Sequence, residues 1–126
     1  MYCTNSLDLS AESISDLSSL TKVQVQTIKI HSAVAKREIN MENALKMRNP
    51  LGISRGTHYR VRAQAKKNIT RSLFTVAIAA QMGVVKPEDV QRFVAIVSTI
   101  PNDVDPEKVG EFIVVVKALA NRIVML

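Results

Sequence analysis

Between Ser54 and Gly83 the sequence contains no proline and one glycine, Gly56, which stands almost at the start of the stretch. Serine is a favoured helix N-cap and glycine a favoured C-terminal stop. The stretch therefore predicts one long helix running from Ser54 past Leu73 to about Met82. Its packing partners must be aliphatic. Apolar residues make up 47% of the 126 residues, but aromatics only 4%, and tryptophan is absent. Such a core suits helix-on-helix packing better than an aromatic-rich β-sandwich.

The rest of the chain divides around that helix. A short helix can start at Ser10, with Glu12 and Asp16 near its positive end and Ile14, Leu17 and Leu20 as its stripe. Residues 22–37, KVQVQTIKIHSAVAKR, alternate well enough for a strand, yet Val25, Ile28, His31 or Ser32, and Ala35 also share a helical face. Helix is preferred, because no partner strand occurs elsewhere. Asn40 reads as the N-cap of a second helix, MENALKMR, closed by Asn49-Pro50. Lys86-Pro87-Glu88-Asp89 opens a fourth helix that ends near Pro101, and Asp105-Pro106-Glu107 a fifth that runs to about Met125. The expectation is all-α.

Charge is partitioned far more sharply than solubility requires. Residues 1–21 hold Asp8, Glu12 and Asp16 and no base, a balance of −3. Residues 22–71 hold twelve Lys/Arg against Glu38 and Glu42, a balance of +10. Residues 72–126 hold five bases and six acids, a balance of −1. Concentrating positive charge in one part of a chain whose total is +6 points to a polyanionic partner.

The long helix shows how that charge is arranged. At about 100° per residue, Val61, Ala65 and Ile69 fall on one apolar stripe, with His58 on the same side. Arg55, Arg62 and Lys66 lie on one flank, and Arg60, Lys67 and Arg71 on the other. Gly56 and Ala63 lie between the two basic flanks, directly away from the core. Gly52 serves a turn, but Gly56 sits where the helix already runs, at a cost of up to about 1 kcal/mol relative to Ala. Small residues along the centre of an exposed cationic face fit a surface that something bulky must approach, such as a DNA major groove with its flanking phosphates.

The residues at this turn also carry a family resemblance. Leu51-Gly52-Ile53-Ser54-Arg55-Gly56-Thr57-His58-Tyr59-Arg60-Val61 resembles the turn and recognition helix of helix-turn-helix DNA-binding proteins, most closely the sigma-factor-like and response-regulator-like branch. Leu20-Thr21 with Gln24 matches the start of the first helix in those domains, and Arg37-Glu38-Ile39 the residues that lead the positioning helix. The likeness covers about residues 20–70 and is specific over 51–61. One departure stands out: Ala44 precedes Leu51 by seven residues where the family has three, so Met47-Arg48-Asn49-Pro50 amounts to an added turn.

The resemblance implies a helix-turn-helix bundle over 20–72, preceded by a tail and short helix at 1–19. Phosphate contacts are expected from Lys46, Arg48, Lys66, Lys67 and Arg71. Ser54, Arg55, Thr57, Tyr59, Arg60 and Arg62 are expected nearest the bases. The partner is double-stranded DNA, and the protein most simply a transcriptional regulator. An architectural protein that coats or packages DNA is the alternative, and a helical module meeting an acidic protein a third reading.

Residues 73–126 ask for a different explanation. LFTVAIAAQMGVV, VQRFVAIVSTI and VGEFIVVVKALANRIVML are apolar over most of their girth, and such helices must be covered on several sides. A homodimer is expected, held by Phe93 and Val97 and by Phe112, Ile113, Val116, Leu119 and Ile123. Two-fold symmetry would then present two recognition helices to a palindromic site.

Nothing in the sequence points to an enzyme. It has no phosphate-cradling loop, nucleophile elbow or metal-ligand cluster, and its carboxylates gather at helix starts and chain ends. No cofactor, metal or small-molecule ligand is expected, and Cys3, His31 and His58 are assigned no role in chemistry. A single cysteine, no signal-peptide pattern and no apolar run near 18 residues predict a soluble, cytoplasmic protein without a membrane partner, and the DNA-binding reading adds association with the nucleoid.

Overall fold

A computed structural model describes residues 14–46, 53–100 and 106–126, and among them the chain is all-α with no strand. Among the described residues a 3-10 turn, Ile14–Leu17, precedes five helices: α1 (Lys22–Ala35), α2 (Met41–Lys46), α3 (Arg55–Gln81), α4 (Pro87–Ser98) and α5 (Pro106–Ile123). Two compact units result, Ser15–Ile69 and Thr70–Leu126, and α3 contributes to both. No helix among the described residues is long and apolar enough to cross a membrane.

Helix ends are set by local hydrogen bonds. Thr21 and Gln24 form a capping box: the Thr21 hydroxyl accepts from the Gln24 N–H, and the Gln24 carboxamide oxygen accepts from the Thr21 N–H, both at 3.2 Å. Asn40 caps α2 as expected, its Oδ1 accepting from the Asn43 N–H at 2.8 Å. Ser54 caps α3, its Oγ accepting from the Thr57 N–H at 3.1 Å. At the other end of α3 the Gly83 N–H donates to the Ala80 carbonyl and the Val84 N–H to the Ala79 carbonyl, with Gly83 at φ 79°. This is a Schellman stop with glycine where the left-handed backbone needs it.

The same stop closes α1 with a residue much less suited to it. The Arg37 N–H donates to the Val34 carbonyl and the Glu38 N–H to the Ala33 carbonyl, which holds Arg37 at φ 60°. Arg37, Glu38 and Ile39 thus form the turn between α1 and α2. The expected short helix from Ser10 is only the 3-10 turn within the described residues, where Leu17 is exposed. Ser10, Glu12, Cys3 and residues 47–52, with Arg48 and Gly52 among them, lie outside the described residues.

Two expected faces differ from those found. In α1 the buried residues are Val25, Gln26, Thr27, Ile30 and Ala33, while Ala35 is exposed and Ile28 half-buried. The inner face is wide enough to take in polar Gln26 and Thr27, because both α2 and the start of α3 pack on this helix. In α3, His58, Val61 and Ala65 are buried, but Ile69 is 42% exposed. The neighbouring Asn68 turns inward in its place and bonds to the start of α1.

The second unit has an aliphatic core of Val85, Ile113 and Val116. Around it α4 packs on α5, with Val90, Phe93, Val97, Leu119, Ala120 and Ile123 half-buried. A backbone bond of 2.8 Å from the Met125 N–H to the Val84 carbonyl ties the end of the chain to the segment after α3. Much apolar surface stays outside, including Leu73, Phe74, Ile78 and Met82 from α3 and its cap, and Val114 and Val115 from α5.

Candidate nucleic-acid interface

The first four turns of α3 supply the cationic face. Arg55, Arg60, Arg62, Lys66 and Lys67 are all exposed, as are Gly56, Tyr59 and Ala63 between and beside them. The whole of α3 contains no Asp or Glu, so no side chain on the helix itself neutralises these charges. Acids favour the first turn of a helix and bases the last. Here Arg55 opens the helix and its first turn has no acid, so the helix dipole adds to the positive potential. This arrangement costs helix stability and draws anions.

Among the described residues nothing requires glycine at position 56. A Cβ built on it would meet only the Ser54 Oγ, at 4.0 Å, and otherwise open space. Its backbone is helical, so the usual reason for glycine, a left-handed φ, does not apply.

The hydroxyl pair at the helix start is tied into the cap. The Ser54 Oγ donates to the Thr57 Oγ1 at 2.9 Å while accepting from the Thr57 N–H. Tyr59 is 42% exposed, and the Arg62 guanidinium lies 5.3 Å from its ring centroid. This stacking holds a long cationic side chain against a rigid platform and lowers its rotamer freedom. The platform is braced from behind by His58, which is fully buried and meets the Tyr59 ring edge-on at 5.5 Å.

Lys46 reaches the region from the end of α2. The Ile53 N–H donates to the Leu45 carbonyl at 3.3 Å, which brings the end of α2 to the start of α3. Lys46 also pairs with Glu42 at 3.6 Å, both side chains largely exposed. Such a surface pair is worth only about 0.3–0.5 kcal/mol and leaves the ammonium free to exchange partners. Arg71 is exposed and lies one turn beyond Lys67 on the same helix.

Comparison with known proteins adds no neighbour: no protein-family model, curated protein or solved structure matches the chain.

The residues expected at a dimer contact differ in their exposure within the single chain. Ile113 and Val116 are buried within the unit, and Phe93, Val97, Leu119 and Ile123 are half-buried against the facing helix. Of the seven, only Phe112 is exposed, at 38%. Sequence reasoning also passed over several contacts around the cationic face. Tyr59 with Arg62 and Glu42 with Lys46 had a legible signal in their i,i+3 and i,i+4 spacings. Asn68 had none beyond being a polar residue beside an apolar stripe.

Proposed function

We propose that the chain is a sequence-specific double-stranded DNA-binding protein, a dimeric transcriptional regulator acting on the nucleoid in the cytoplasm, with the outward face of α3 in the major groove. The observation that carries this reading is Gly56: an exposed helical glycine with open space around it, flanked by cations and by no acid on the same helix. Packing among the described residues gives no account of it, whereas close approach of a duplex does. Arg55, Tyr59, Arg60 and Arg62 would stand nearest the bases, and Lys46, Lys66 and Lys67 on the phosphates. The sequence around Ser54 adds the helix-turn-helix likeness.

Duplex binding over a salt series tests the reading, comparing random DNA with sites selected from a randomised pool. A selected palindrome bound at least about a thousandfold tighter than random DNA is the expected outcome. Steep salt dependence with no enriched sequence would replace it by DNA coating or packaging. Absence of binding to any duplex at low salt would move the basic face to an acidic protein partner.

A further inference from the structure

Helix α5 buries one face and leaves a second, patterned one outside. Its inward side carries Ile113 and Val116, buried, with Leu119, Ala120 and Ile123 half-buried. Well over a right angle away lie Glu111, Val115, Ala118 and Arg122, all exposed, Val115 at 62%. Their spacing of four, three and four residues keeps them within an arc of about 60°, the seam geometry of a helix that pairs with another. Among the described residues neither Glu111 nor Arg122 has a salt-bridge partner.

We infer that this outer stripe of α5 is where a second copy of the chain docks, antiparallel, α5 against α5. Isolated exposed valines are ordinary and carry no such meaning. The order along the stripe does: acid, apolar, small apolar, base, with the two charges equally distant from the centre. Turned through a two-fold axis, the stripe complements itself. Glu111 meets Arg122 of the second copy, Val115 meets Ala118 of the second copy, and each contact occurs twice. Ala118 lets the helix axes approach closely. A parallel pairing would set acid on acid and base on base, so the charges also fix the orientation. This inference rests on the dimeric part of the reading above and moves the contact to a face centred about 130° round α5 from the inward-facing residues.

The test uses the full chain in sedimentation velocity at low salt, with helicity by circular dichroism and duplex binding followed on the same samples. The unaltered protein is expected to be a dimer. E111R and R122E each place two like-charged pairs in the symmetric contact, so each is expected to raise the dimer dissociation constant at least about tenfold with helicity kept. The double variant E111R/R122E restores the pairing and the dimer, and an equimolar mixture of the two single variants forms a heterodimer. A dimer untouched by either reversal would overturn the inference while leaving the dimeric reading intact. Weakening by the single variants without rescue in the double variant or the mixture would overturn the antiparallel pairing. A monomer at every concentration would overturn both the inference and the dimeric reading, and the duplex-binding arm would report separately on DNA recognition.

Discussion

Asn68 and Ser19 exchange two hydrogen bonds across 49 residues of sequence: the Asn68 amide donates to the Ser19 carbonyl at 2.7 Å, and the Ser19 hydroxyl donates to the Asn68 Oδ1 at 2.9 Å. The same amide donates to the Gln24 carboxamide oxygen at 3.2 Å, the atom that closes the capping box of α1. One side chain therefore joins the cationic helix to the first helix of its unit. Each such bond contributes about 0.5–1.5 kcal/mol net. N68A is expected to cost about 1–2 kcal/mol in chemical denaturation, against less than about 0.5 kcal/mol for Q64A on the exposed side of α3. Equal effects from the two variants would show that the clamp contributes nothing.

Gly56 gives a prediction in which stability and binding move in opposite directions. G56A removes a poor helix former, so the unfolding midpoint is expected to rise by the equivalent of about 0.5 kcal/mol. The added methyl group intrudes on the close approach, and duplex affinity is expected to fall about tenfold, the effect of about 1.4 kcal/mol. A variant that is more stable and binds equally well would remove the observation on which the proposed function rests.

The cationic face should divide its labour. R55A is expected to relax sequence preference and cost about 1–3 kcal/mol on the selected site, with little change on random DNA. K67A is expected to weaken every duplex alike and lower the salt slope by about one. Competition binding on both DNAs checks this, and indistinguishable profiles would refute the assignment of base and phosphate contacts.

Arg37 occupies a left-handed turn position, φ 60°, that glycine fills at the end of α3. Relief of that backbone conformation outweighs the extra freedom of glycine in the unfolded chain. R37G is therefore expected to stabilise the protein by about 0.5–1 kcal/mol, read by thermal or urea denaturation. R37A, which keeps a Cβ, should bring no gain. A loss on R37G would mean that the arginine side chain itself supports the turn.

Thr27 is fully buried, and its hydroxyl oxygen has no hydrogen-bond partner among the described residues. A buried hydroxyl left in that state costs roughly 1–3 kcal/mol. T27V keeps the branched shape and removes the polar atom, so urea denaturation is expected to show a gain of about 1 kcal/mol. Destabilisation by valine would show that the hydroxyl is satisfied in solution, for instance by an enclosed water.

The sequence by itself determined what depends on contacts within about four residues. Asn40, Ser54 and Gly83 mark helix ends because each acts through its own backbone neighbourhood. The absence of acid from α3 and the outward position of Gly56 follow from composition and helical period alone. The tertiary structure decided which faces are covered. Period could not choose the inner side of α1, since Gln26 and Thr27 are buried where Ala35 is not. Nor could it choose in α5, where Ile113 and Val116 turn inward while Val114 and Val115, equally apolar, turn out. Apolar transfer has no direction of its own. A helix that is apolar nearly all round is oriented by where its neighbours lie, and that information resides in residues far away along the chain.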